Sequence, residues 1–211
     1  MLLSTERRFI FVHIPKTAGQ SISRALLPWA VTPERTRFRR LLSHLPVRES
    51  EDMAFLRPHG TARWFKRKLA PETFDNYFKF AVVRNPFDYL VSYYHYLRSN
   101  ETSRRHADAT EWSFAEFLAY MQRKNRVKSV NQLRWLTDIR GRMLVNDLIR
   151  FESLEEDFSR IVERVGLGGK VELPHINQTD RTDYRDYYGT RERALAEEIF
   201  GRDLETLNYR F

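Results

Sequence analysis

Two cations, Lys16 and Arg84, stand in surroundings that could do chemistry. Lys16 lies in residues 9–22, FIFVHIPKTAGQSI, where Pro15 and Gly19 break an apolar run and Thr17, Gly19, Gln20 and Ser21 are small or polar. A loop of this kind between a strand and a helix aims backbone N–H groups and a helix N-terminus at one spot, which favours an anion. Lys16 adds a full positive charge inside that loop, and Thr17 and Ser21 add hydroxyls. Arg84 lies in residues 79–97, KFAVVRNPFDYLVSYYHYL, at the end of a second apolar run, with Ser92 eight residues further on. A guanidinium grips a phosphate bidentately, and a serine adds a hydroxyl. Taken alone, the first stretch reads equally well as a buried edge strand followed by an ordinary turn. The second stretch breaks the tie, because it repeats the arrangement: strand, loop with a cation, helix with a hydroxyl.

The elements that must hold these residues follow from periodicity. Phe9, Ile10, Phe11 and Val12 form a strand, and Ile22, Ala25 and Leu26 have helical spacing. Phe80 to Val83 form a second buried strand, Pro86 suits the first turn of a helix, and Phe87, Leu90, Val91 and Tyr94 continue it. A helix with Trp64, Phe65 and Leu69 on one face follows the turn at Pro58 and Gly60. Ser113 and Glu116 open another helix with a capping box, as do Ser153 and Glu156. Leu144 to Phe151 reads as a core strand, 131–136 as a short helix and 190–200 as the last helix. Residues 98–112 are polar without period and read as a substrate-facing loop. Strands alternating with helices predict an α/β fold of one domain over residues 1–211: a central parallel sheet covered by helices on both faces, in three layers. Ligands of such sheets bind at the carboxyl ends of the strands, where Lys16 and Arg84 both fall.

HIPKTAGQS resembles the 5′-phosphosulfate loop of sulfotransferases that use 3′-phosphoadenosine 5′-phosphosulfate (PAPS). VVRNPFDYLVSYYHYL resembles their 3′-phosphate motif, in which an arginine and a serine eight residues later hold the 3′-phosphate. The whole chain is similar to the carbohydrate branch, with the chondroitin, HNK-1 and uronyl 2-O-sulfotransferases. The resemblance implies a P-loop-like sulfotransferase fold, PAPS as donor, PAP as product and no metal. It implies that Pro15, Lys16, Thr17, Ala18, Gly19, Gln20, Ser21, Arg84 and Ser92 bind the nucleotide. Asn177 and Arg181 fall in a segment similar to the family's C-terminal nucleotide-contacting stretch. The implied acceptor is a hydroxyl, expected on a glycan or glycolipid.

In-line sulfuryl transfer needs both partners positioned, charge on the leaving phosphate stabilised and the acceptor proton removed. Lys16 is the expected electrostatic clamp or general acid. A base working near neutral pH favours histidine. The chain has six: His13, His44, His59, His95, His106 and His175. His13 is expected only to pack and His95 to be a satisfied core residue. In the uronyl 2-O-sulfotransferase branch a histidine between the two phosphate motifs is the base, and His59 is similarly placed. Tyr184, Tyr187 and Tyr188 are expected to pack, and Asn131, Arg134 and Trp135 to line an acceptor cleft.

Composition bounds the rest. The chain has 211 residues, no cysteine and a net charge of +8, with a pI of about 9.8. A basic surface suits an anionic nucleotide or glycan, and without a dense basic tract or RNA-binding fingerprint nucleic acid ranks lower. Disulfides and thiolate metal sites are excluded. No apolar run approaches the length of a membrane span. MLLSTERRF is too short and polar for a signal peptide, and the anchor of Golgi relatives is not seen. A cytoplasmic, bacterial enzyme is therefore expected, although a piece trimmed from an anchored protein would read the same. Two rivals remain. A P-loop kinase or NTPase predicts Gly-Lys-Ser/Thr and a magnesium-binding Asp, whereas here the lysine precedes the glycine. A non-catalytic nucleotide- or polyanion-binding module would keep the fold and lose the base.

Overall fold

The computed structural model describes residues 2–211 except 34–35, 43, 46, 53, 55–58, 170 and 175–181, together with the Arg39 side chain. It divides into two compact units, Met1–Val83 with Trp135–Ile176, and Arg84–Arg134 with Asn177–Phe211.

The first unit contains β1 (Leu2–Ser4), β2 (Phe9–Val12), α1 (Gly19–Leu26), α2 (Arg37–Leu42), α3 (Ala62–Lys68), α4 (Pro71–Asn76) and β3 (Phe78–Val83). The second contains α5 (Pro86–Ser99), α6 (His106–Glu111) and α7 (Phe114–Val127). The chain then passes through α8 (Leu133–Leu136) back to β4 (Asp147–Arg150) and α9 (Leu154–Arg164) in the first unit. It closes with α10 (Thr190–Thr206) in the second.

Among the described residues the sheet has the order β1-β2-β3-β4. The β2–β3 and β3–β4 pairs are parallel, with Val12 opposite Ala81 and Val83 opposite Arg150. All three strands therefore end at one edge of the sheet. This is the α/β architecture expected from the sequence, a mostly parallel sheet flanked by helices. β1 departs from it: it runs antiparallel to β2, Leu2 opposite Phe11. Only three residues long, it is too short to announce itself by periodicity. The turn that creates it needs Arg8 in the left-handed region at φ 52°.

Every residue of β2 is buried, as are five of the six in β3. Phe9, Phe11, Phe80, Val82 and Ile149 pack against Ile22 and Leu26 of α1 and Phe158, Ile161 and Val162 of α9. Each such side chain contributes about 1.5–3 kcal/mol on burial. Ile10, Val12, Ala81 and Val83 are equally removed from water, so the strands are apolar on both faces, as parallel strands require.

Lys79 fixes the entry to β3. Its ammonium, almost fully buried, donates to the carbonyls of Phe74 (2.8 Å) and Tyr77 (2.6 Å). These are orphan acceptors around the C-terminus of α4, which a cation suits.

In the second unit α10 packs along α7 and α5. An aromatic cluster of Phe87, Tyr94, Phe114, Phe117, Tyr188 and Phe211 fills the core, with ring pairs edge-on at 4.9–5.5 Å, as between Phe87 and Phe211 or Tyr94 and Phe114. Tyr184, Tyr187 and Tyr188 pack there too.

Several local expectations need correction. The Ser113–Glu116 capping box is present, but Ser153 donates instead to Asp157 (3.0 Å), which also accepts the Arg150 N–H (2.8 Å). The strand expected over 144–151 is confined to Asp147–Arg150, and the last helix runs six residues further, to Thr206. Residues 98–112 are no open loop. They contain α6, and Arg98 gathers the carbonyls of Ala109, Thr110 and Trp112 at 3.0–3.2 Å. That anchor is tertiary and leaves no periodic trace.

Replacing Lys79 with Met should strand the carbonyls of Phe74 and Tyr77 and cost about 1–3 kcal/mol. Urea unfolding measures this, and an unchanged midpoint would remove the capping role.

Candidate active site

The loop between β2 and α1 is short and constrained. Lys16 and Ala18 both take left-handed backbone, at φ 67° and 57°, a conformation that costs a non-glycine residue roughly 1–2 kcal/mol. Thr17 between them is fully buried. Its hydroxyl donates to the Ile14 carbonyl at 3.0 Å, so that its proton is spent on closing the loop. Ala18 is the N-cap of α1, with no side chain able to cap. Its carbonyl accepts from Ile22 N–H at 3.3 Å. Pro15, Lys16 and Ala18 are half-buried, and Gln20 is exposed. Ser21 is buried, and its hydroxyl makes no hydrogen bond among the described residues.

Gly19 is required by its neighbour. A methyl group there would lie 1.9 Å from His13 Cδ2 and 2.2 Å from His13 Nε2. The imidazole of His13 therefore rests directly on the first residue of α1. It also meets His59, ring centroids 4.7 Å apart and edge-on. Removal from water pulls His13 down to about 3, and the neighbouring His59 works in the same direction. His59 is lowered too, again mainly by desolvation on its packed side, while a hydrogen bond to the main chain of His13 opposes the shift. Its outer side stays exposed. Both rings are neutral at pH 7. A bond from one nitrogen of a neutral imidazole to the main chain leaves the other as a proton acceptor. His13 was expected only to pack. It does pack, and its contacts join the loop glycine to the candidate base.

In the second unit Arg84 opens the turn into α5, and it is 6% exposed. Its Nε donates to Asp88 Oδ2 at 2.7 Å, one helical turn on. Its N–H donates to Gln132 Oε1 (2.9 Å), and its carbonyl accepts from Gln132 Nε2 (2.7 Å). Asn85 caps α5 by accepting from Phe87 N–H at 3.1 Å, and its amide donates to the Arg210 carbonyl at 2.8 Å. Ser92, two turns along α5, is buried, and its hydroxyl has no hydrogen bond among the described residues. In particular it makes no bond back to its own helix, the alternative use of a helical serine.

The loop residues, His13 and His59 thus stand together in one unit, and Arg84, Asp88, Ser92 and Gln132 in the other. Asn177 and Arg181, like His175, lie outside the described residues. Asn131 and Arg134, expected with Trp135 to line an acceptor cleft, both make hydrogen bonds within their unit. Asn131 donates to Asn125 Oδ1 and the Ile199 carbonyl, and Arg134 to the Ser129 carbonyl. His95 is bonded to the Tyr187 hydroxyl at 2.8 Å. Of the residues missed in the sequence, Asp88 had a signal, its helical spacing from Arg84. Gln132 had none.

Against known proteins, a model of the sulfotransferase family matches residues 1–210 and so runs through both units. The chain belongs to the sulfotransferase family. It is a sulfotransferase, an enzyme of a family whose general donor is PAPS and whose product is PAP, acting on a hydroxyl-bearing acceptor. The carbohydrate branch is consistent with that family. No curated protein and no solved structure is matched. Among the described residues no helix is long and apolar enough to cross a membrane.

Gly19→Ala should force His13 off the loop and cost about 1–3 kcal/mol, the usual penalty of overpacking. The His13→Ala, Gly19→Ala double variant should recover much of that loss in a double-mutant cycle. Strict additivity would show that the two residues do not oppose each other.

Proposed function

We propose that this chain works as a single sulfotransferase domain that moves the sulfuryl group of PAPS to a hydroxyl of a carbohydrate or glycoconjugate, with His59 as base. The observation that carries the assignment of residues is the buried Arg84, held by Asp88, with Ser92 on the same helix buried and its hydroxyl making no hydrogen bond among the described residues. A buried guanidinium fixed at Nε suits a phosphate dianion better than it suits a metal or an apolar group. Arg84 and Ser92 take the 3′-phosphate, with Asn177 and Arg181 as further contacts to the nucleotide. The loop from Pro15 to Ser21 takes the 5′ end.

When bound, PAPS supplies an activated sulfuryl group and a phosphate as leaving group. Lys16, carried on left-handed backbone, offers a positive charge where negative charge grows on that phosphate, a task for a preorganised cation. His59, neutral at pH 7 and hydrogen-bonded to the His13 main chain, accepts the proton of the acceptor hydroxyl. The net charge of +8 supports an anionic acceptor.

The nucleotide class is tested by thermal shift. PAP alone at about 100 times its Kd should stabilise the protein by about 2.7 kcal/mol. A shift that needs ATP and magnesium would point to a kinase instead. Lys16→Ala should lower kcat by about 10²–10³. His59→Ala should keep PAP binding and lose about 10²–10⁴ in rate; normal turnover would remove it as the base. Because His59 is lowered, it loses base function only when protonated, so kcat/KM should fall on the acid side below the ordinary histidine value of about 6.5 and stay level above it.

A further inference from the structure

Gln132, in the turn that precedes α8, is fully buried. Its side-chain amide is committed at both ends to one residue. It accepts from Arg84 N–H at 2.9 Å and donates to the Arg84 carbonyl at 2.7 Å. An amide paired in this way with both polar groups of a backbone residue substitutes for a rung of sheet hydrogen bonding. It does so where β3 has ended and the chain bends into α5.

Gln132 is itself seated from a third place in the chain. Its own N–H donates to Asp203 Oδ2 at 2.5 Å, and Leu133 N–H donates to Asp203 Oδ1 at 3.2 Å. Asp203, on α10, is fully buried. Burial pushes its carboxyl up to about 6, against the pull of the two amide donors and Arg202. Each oxygen of that carboxylate is used on a different peptide, so the turn at 132–133 has one orientation relative to α10. The guanidinium of Arg84 is held separately, through Asp88.

We propose that Gln132 and Asp203 are positioning residues for recognition of the nucleotide's 3′-phosphate: Asp203 seats Gln132, and Gln132 fixes the Arg84 main chain from which the guanidinium reaches. This rests on the reading of Arg84 given above. The reason is geometric. Two parallel N–H···O bonds to phosphate demand placement within about half an ångström. A long side chain inherits every error of its Cα, and Asp88 steers only the far end. A buried hydrogen-bonded amide contributes modestly to stability, since it replaces bonds to water. Its larger consequence is directional, because buried polar networks specify one arrangement.

The test compares PAP with 5′-AMP, which lacks the 3′-phosphate, by calorimetric titration of the full chain. The wild-type protein should bind PAP more tightly than 5′-AMP. Gln132→Met, similar in size and unable to pair with the Arg84 peptide, should weaken PAP by about tenfold, the scale of one charge-assisted hydrogen bond. It should leave 5′-AMP within about twofold, so the preference collapses. Asp203→Asn, which keeps size and one acceptor, should lower the same ratio by a smaller factor, and it carries the test if the Gln132 variant does not fold. Equal losses for both nucleotides, or an unchanged ratio in either folded variant, would overturn the proposal and mark the network as structural. A wild-type protein without preference for PAP would instead strike down the reading of Arg84 on which it rests.

Discussion

The turn from β2 into α1 is the constraint on which the rest of the first unit depends. Six residues must take the chain from the end of a buried strand to the first turn of a helix packed on the same sheet. They do so with two non-glycine residues in the left-handed region, a local cost of a few kcal/mol at most. That cost is offset by burial of Ile14 and Thr17, by the bond from Thr17 to Ile14, and by the contact of His13 with Gly19. Strain of this kind persists only where the surroundings over-determine it. Here it sets the backbone that carries Lys16, and through His13 it extends to His59.

The second unit solves a different problem, how to keep a guanidinium nearly out of water without losing its charge. An unpaired buried charge is costly, and pairing offsets the cost only with good geometry. Arg84 has Asp88 at its Nε and Gln132 at its peptide. The C-terminal residues contribute too: Asn85, the cap of α5, donates to the Arg210 carbonyl, and the Tyr188 hydroxyl donates to the Phe87 carbonyl. The last helix and tail therefore act on the first turn of α5 through hydrogen bonds, although more than a hundred positions separate them in the chain.

Burial also explains the histidines. His13 and His59 are both drawn below the ordinary range, chiefly by desolvation. For the fold this has a sign. The unfolded chain protonates His13 near its normal value and the native state only near 3, so stability is lost as pH falls through that window. For chemistry it means that a neutral imidazole is present at pH 7, the form in which a ring nitrogen can accept a proton.

Much of what is encoded within one turn of helix or one strand was legible in the sequence, although the three-residue β1 and the partner of Ser153 were not. The buried runs at 9–12 and 80–83, the loop cation and its glycine, the Pro86 start of α5 and the Ser113 capping box are all local signals, because strand and helix periods and cap chemistry act over four residues or fewer. The eight-residue arginine–serine spacing spans two turns, and it was read together with the loop motif through the family resemblance. Contacts between residues distant in the chain were not legible. The reason Gly19 is glycine is a ring six residues away, folded back on it. Ser153 could cap its helix or serve Asp157, and in the folded chain it donates to Asp157, which also takes the Arg150 N–H. Gln132 and Asp203 look like any polar residue in a turn and on a helix. Only the folded chain removes them from water, and once there each must find a partner, so their roles were decided by the tertiary structure.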